Sequence, residues 1–184
     1  LVQCNFSQYS SRYDAFCAGD VQPAFDPACA GGALMDLGVY NVSYIVGLFG
    51  EPNQAKYTAN IERGIDTSGI LTMDYSGFKA VSIAAKDCAA PARYIIQGTK
   101  GYILQKSTAN CCGGITFHPN EGKEEHYNLN GGRPREAAEF ETFARAMESG
   151  DQELCTRMQD TSIAVSRVLT VARRSAGIRF PGER

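Results

Sequence analysis

Between Ala55 and Leu129 the chain alternates apolar and polar residues in short runs and breaks every few residues at a turn. This pattern narrows the fold more than any other feature of the sequence. Ala55 to Glu62 sets Tyr57, Ala59 and Ile61 on one face, and Ile70 to Tyr75 follows after the turn residues Asp66-Thr67-Ser68-Gly69. Past Ser76-Gly77, Lys79 to Ala85 opposes Ala80, Ser82 and Ala84 to Val81, Ile83 and Ala85. Arg93 to Gln97 and Tyr102 to Gln105 flank the hairpin signal Gly98-Thr99-Lys100-Gly101. Weaker runs lie at Ile115 to His118 and Glu125 to Leu129, and a further strand is expected within Val2 to Tyr13. The five to seven strands after Pro52, joined by turns this short, are expected to pair largely antiparallel.

Helical spacing dominates elsewhere. From Gly31-Gly32 to Gly50, with Pro52 barring continuation, Leu34, Leu37, Val42, Ile45, Leu48 and Phe49 recur on a core-facing side. Asp36, Tyr40 and Tyr44 are four apart and line another side. Asp26-Pro27 is a capped start for a short helix that the glycine pair interrupts, and Ala15 to Gln22 fits a short helix or a loop. Arg135 to Ser149 predicts a helix ending at Gly150. Asp151 then caps another that runs to about Arg174, where Arg173 and Arg174 suit the negative end of the dipole. The expected fold is α+β: an open, largely antiparallel (mixed) sheet with helices packed on one face. Its other face is left needing a partner.

A chain of 184 residues is long enough for one domain with a real core, and residues 1–184 are read as one. A formal net charge of −2 without any Lys/Arg run argues against a nucleic-acid partner. Asp36, Asn41 and Ser43 interrupt the apolar helix, so no membrane partner is expected. Leu1-Val2-Gln3-Cys4-Asn5 has neither the basic start nor the apolar core of a signal peptide, and Leu1 in place of Met is expected of a chain cut from a longer one. Seven cysteines without a repeating spacing read as free thiols of a cytoplasmic protein rather than a disulfide framework.

Among residue types that carry chemistry, Asp36 and Tyr40 stand out: an acid and a phenol one above the other near a glycine-opened helix start. A phenol titrates near pH 10 and needs a nearby cation to move protons at neutral pH, and this helix supplies none. Taken alone, the pair is also what a solvated first turn and a half-buried packing tyrosine look like. Cys111-Cys112 with His118 and His126 lacks a C-x-x-C spacing, so loop thiols are expected there and no metal site. Gly131-Gly132-Arg133-Pro134 fits a turn before a helix better than an anion cradle.

The order Gly31-Gly32-Ala33-Leu34-Met35-Asp36-Leu37-Gly38-Val39-Tyr40, then Gly50-Glu51-Pro52, resembles the second-domain signature of the Gfo/Idh/MocA family of NAD(P)-dependent oxidoreductases. Ser10-Ser11-Arg12-Tyr13-Asp14 upstream, and Gly98-Thr99-Lys100-Gly101 and Ala176-Gly177-Ile178-Arg179-Phe180 downstream, extend the resemblance over nearly the whole chain. It implies the C-terminal, substrate-binding and oligomerising domain of an enzyme acting on a sugar, polyol, inositol or dihydrodiol. Tyr40 stands where many members carry His, which resembles the branch of glucose-fructose oxidoreductase and dimeric dihydrodiol dehydrogenase. By position, Tyr40 is the expected proton donor or acceptor, Asp36 its catalytic companion that orients substrate, and Arg12 a substrate-binding residue. NAD or NADP is implied for the intact enzyme. Neither Gly-x-Gly-x-x-Gly nor the family's Glu-Lys-Pro motif occurs in this sequence, so the N-terminal Rossmann domain is expected to be a partner outside it. This chain alone is then expected to hold no cofactor and to be inactive. A small-molecule substrate and a homo-oligomer through the open sheet face complete the expectation. The alternative is a binding or dimerisation module that uses the same fold without chemistry.

Overall fold

A computed structural model describes residues 1–183 and shows one eight-stranded mixed sheet in the order β2-β3-β4-β1-β5-β6-β7-β8. The strands are β1 (Val2–Ser7), β2 (Gln54–Glu62), β3 (Ile65–Asp74), β4 (Lys79–Ala85), β5 (Arg93–Gly98), β6 (Gly101–Gln105), β7 (Ile115–Pro119) and β8 (Glu125–Tyr127). Every neighbouring pair is antiparallel except β1 with β4, which run parallel from Val2 opposite Ala80 to Ser7 opposite Ala85. The connection from β1 to β4 carries the helices α1 (Tyr13–Cys17) and α2 (Val39–Phe49) and the hairpin partners β2 and β3. The helices α3 (Ala137–Ser149) and α4 (Gln152–Ser175) follow β8.

Strand alternation decides which face is covered. Val2, Cys4 and Phe6 of β1, Ala80 and Ala84 of β4, Leu71 and Met73 of β3 and Tyr94 of β5 are buried. Val2, Cys4, Leu71, Met73, Ala80 and Tyr94 form a core with Val42, Ile45 and Val46 of α2 and Val165, Val168 and Leu169 of α4. On the opposite side Val81, Ile83, Ile70 and Ile95 form an uncovered apolar strip, with Ile70 directly across from Ile83. Burial pushes the thiol of Cys4 up to about 12, which keeps it an inert core residue, while the other six cysteines are exposed. The edge strand β2 is closed off by α4, whose Ser175 hydroxyl accepts the Tyr57 amide at 2.9 Å.

The apolar run Pro27–Phe49 has the length and composition of a membrane span. It folds instead as a 3₁₀ turn, a glycine pair and a helix that buries Val42 and Ile45 completely. Leu48 and Phe49, expected to face the core, are exposed; the helix outruns the sheet it covers, and Phe49 packs only edge-on to Tyr75 and Phe78. Ile61, expected on the same face as the buried Tyr57, is 48% exposed at the far end of the edge strand.

The turn assigned to Asp66-Thr67-Ser68-Gly69 is a further correction. The chain reverses at Arg63-Gly64, both at positive φ (51° and 82°), and Asp66 to Gly69 already belong to β3. Thr67 is the extra residue of a bulge: Asn60 pairs with Ser68 and Ile61 with Asp66. The bulge rotates Asp66 to the helix side, where it is 1% exposed. Asp151 caps α4 as expected, accepting the Leu154 amide at 2.9 Å. Arg173 does more than oppose a dipole: it is 4% exposed, stacks over Phe180 at 4.4 Å and pairs with Glu183.

Candidate functional site

The glycine pair opens the long helix because two other segments crowd it. A Cβ on Gly31 would lie 2.8 Å from the Pro23 carbonyl oxygen, and one on Gly32, at φ 103°, 2.1 Å from Asp66 Oδ1. Asp66 thereby replaces the missing turn of helix: its Oδ2 accepts the Leu34 amide at 2.7 Å and the Tyr57 hydroxyl at 2.8 Å. Burial drives the Asp66 carboxyl above its usual range, and these two donors pull against that.

From this fixed start the backbone makes a π-helical turn over Leu34–Gly38 before α2 begins. Such turns recur at functional sites because they re-aim one residue without ending the helix. Asp36 sits inside the turn, and Tyr40, 39% exposed, follows four residues on, its ring 5.7 Å from Phe6 at the end of β1. Asn41 locks the next residue to the sheet. It is completely buried, donates to Ser82 Oγ at 3.0 Å and to the Ile83 carbonyl at 2.9 Å, and accepts from the Tyr94 hydroxyl at 2.6 Å. Tyr40 therefore stands on a rigid base.

The sheet supplies a cation to Asp36. Lys86, 2% exposed, extends β4 through hydrogen bonds from its amide to Thr67 O and from Ser10 N to its carbonyl, both 2.8 Å. Its Nζ lies 2.7 Å from Asp36 Oδ2, contacts the Ala24 carbonyl and sits 4.1 Å from the centre of the Phe25 ring. Asp36 keeps about half its side-chain surface in solvent, so one carboxylate edge is held and the other is open. Sequence reasoning missed Lys86, although its parity with Ala80, Ser82 and Ala84 already placed it under the helices.

Arg12 caps the short α1, exposed, with its amide 3.2 Å from Ser10 Oγ. Among the described residues it makes neither a hydrogen bond nor an ion pair with Asp36 or Tyr40. The structure thus joins Asp36 to Lys86, sets Tyr40 four residues further along beside Phe6, and leaves Arg12 on the adjoining loop. His118 and His126 flank Glu124, with contacts of 3.0 and 3.3 Å, at the other end of the sheet from β2. Cys111 and Cys112 lie at a separate 3₁₀ turn. Among the described residues no group of three or more His, Cys, Asp or Glu is arranged to hold a metal.

The GFO/IDH/MocA C-terminal domain model matches residues 1–104. Over 180 residues the chain is 31% identical to scyllo-inositol 2-dehydrogenase (NADP(+)) IolU of Bacillus subtilis strain 168, covering 97% of this chain and 55% of that protein. It is also 31% identical to D-xylose 1-dehydrogenase (NADP(+)) 2 of Haloferax volcanii, over 82% of this chain and 47% of the relative. Among solved structures, KijD10, a 3-ketoreductase from Actinomadura kijaniata in complex with TDP-benzene and NADP, superposes with a TM-score of 0.68 at 17% identity. That match covers 95% of this chain and 51% of KijD10. The chain spans about half the length of the relatives it matches.

Proposed function

The chain belongs to the GFO/IDH/MocA family, and from that premise we propose that it is the substrate-binding and oligomerising half of an NAD(P)-dependent oxidoreductase. The substrate is a sugar, cyclitol or polyol, interconverted between CH–OH and C=O. Tyr40 exchanges the proton of the reacting oxygen, and Asp36, steadied by Lys86, accepts a neighbouring hydroxyl and fixes the ring. The observation that carries this reading is the Asp36–Lys86 contact of 2.7 Å one turn from an exposed tyrosine on a rigid base. A carboxylate held on one edge and open on the other orients a hydroxyl without reorganising, which is what proton transfer at a defined oxygen requires.

The residues of this chain do not fit a dinucleotide. No Gly-x-Gly-x-x-Gly links a strand to a helix, and the one parallel strand pair is bridged by β2 and β3 as well as by helices. The cofactor site and the hydride step are therefore assigned to another domain, and this chain alone is expected to be inactive. What it contributes is binding, orientation and the proton at Tyr40 Oη. The apolar strip around Ile70 and Ile83 on the uncovered sheet face is assigned to self-association.

The test is Tyr40→Phe in the intact protein, assayed with scyllo-inositol and D-xylose against both cofactors. Loss of a general acid–base group lowers kcat about 10²- to 10⁴-fold, with the unfolding midpoint unchanged. Unchanged turnover would leave the binding and dimerisation module as the reading.

A further inference from the structure

A cavity of about 490 Å³ lies away from Lys86, between the β7–β8 edge of the sheet and the start of α3. Its walls carry Asn110, Asn128, Asn130 and Arg133 together with Tyr127 and Leu129, and Arg135 and Glu139 close one side. The volume falls in the range of about 300–1,000 Å³ usual for small-molecule sites.

The cavity adjoins α2. Its wall residue Ala109 packs against the core beside α2, and the Ala109 backbone approaches the Tyr94 hydroxyl that donates to Asn41, the neighbour of Tyr40. The 3₁₀ turn Ala109–Cys111, which forms part of this wall, packs against α2.

Two arginines suggest an anion, but the surroundings argue otherwise. Arg133 is bound to Glu141 by contacts of 2.9 and 3.0 Å, Arg135 is paired with Glu136, and Glu139 adds a third carboxylate. The walls instead offer donors and acceptors in equal measure. Asn128 Oδ1 accepts the Asn130 amide and Asn130 Nδ2 donates to the Arg133 carbonyl, both at 3.0 Å, leaving one amide nitrogen and one amide oxygen to a ligand. Tyr127 and Leu129 are 46% and 92% exposed and supply apolar surface. Hydroxyl groups both donate and accept, and a pyranose presents hydroxyls at its rim and CH groups on its faces.

We propose that this cavity binds a neutral, hydroxyl-bearing ring, the part of a glycoside or disaccharide remote from the carbon that reacts at Tyr40. The inference rests on the oxidoreductase reading for what sits at Tyr40, but not for the cavity's own ligand.

The test follows NMR shifts of the 184-residue chain titrated with D-xylose, cellobiose and glucose 6-phosphate. Cellobiose is expected to bind most tightly and to move the signals of Asn110, Tyr127 and Asn128. Asn110→Ala, which removes no hydrogen bond within the described residues, is expected to weaken it about tenfold, as is Asn128→Ala. Tightest binding of glucose 6-phosphate, absence of shifts in these walls, or unchanged affinity in both Asn variants would overturn the assignment. If the oxidoreductase reading failed, cellobiose would still bind here; if the cavity reading failed, Tyr40→Phe would still abolish turnover.

Discussion

Replacing Lys86 by Met separates what the buried lysine does for the fold from what it does for Asp36. At 2.7 Å the Coulomb attraction is about 6 kcal/mol at an effective dielectric of 20 and about 1.5 kcal/mol in water, and the half-exposed Asp36 lies between these limits. Against it stands the cost of holding an ammonium 2% exposed, several kcal/mol. The two nearly cancel. The Ala24 carbonyl keeps the Gly32 amide at 3.1 Å when Nζ is gone, so no acceptor is stranded. Methionine also refills most of the space of the lysine stem. Lys86→Met is therefore expected to lower stability by only about 0–2 kcal/mol. Lys86→Ala removes three further methylenes beneath α2, adding about 2.4 kcal/mol of lost burial and a cavity penalty, for a total of about 3–5 kcal/mol. Urea unfolding with linear extrapolation reads both, with m unchanged. In the intact protein Lys86→Met should still cut turnover, because Asp36 is released to solvent. Equal destabilisation by Met and Ala would refute the reasoning, since the charge pair rather than the stem would then hold the helix start.

Asp66 gives a pH signature. Its native carboxyl is raised by burial above the ordinary value of 3.8, so its contribution is fully present below that value and lost as pH rises through the raised native one. Asp66→Asn should flatten this slope, seen as a difference in urea midpoints between wild type and variant that changes as pH rises above 3.8; parallel curves would refute it. On the uncovered sheet face, Ile83→Lys should weaken self-association at least about tenfold in sedimentation velocity while leaving the fold intact. Unaltered association would move the interface elsewhere.

The fold was legible where one rule acted alone. Period-two alternation in Lys79 to Ala85 assigned both faces of β4, and Asp151 announced the start of α4 by its side chain. The failures came where two rules met. Asp66-Thr67-Ser68-Gly69 has the composition of a turn, yet Arg63-Gly64 takes the reversal two residues earlier and leaves Asp66 free to be buried. No local pattern discloses that a bulge at Thr67 will aim this carboxylate at Leu34 across 32 residues. Leu48 and Phe49 obey helical spacing, but spacing cannot say where the covering sheet stops.

The candidate site was half legible for a related reason. Asp36 and Tyr40 belong to one helix, so their relation is fixed by local geometry and can be read from spacing. The cation that Asp36 meets lies at the end of a strand fifty residues on, and the parallel pairing of β1 with β4 brings that end under the helix start. The same pairing places Ser7 beside Ala85, and Phe6 of that strand lies against Tyr40 with ring centres 5.7 Å apart. A slip of β4 by one residue would turn Lys86 to the uncovered face and leave Asp36 without its partner. The glycine pair, the buried Asp66 and the Asn41 anchor all resist that slip from the helix side. These residues are therefore positioning groups of the site, although none of them approaches a substrate.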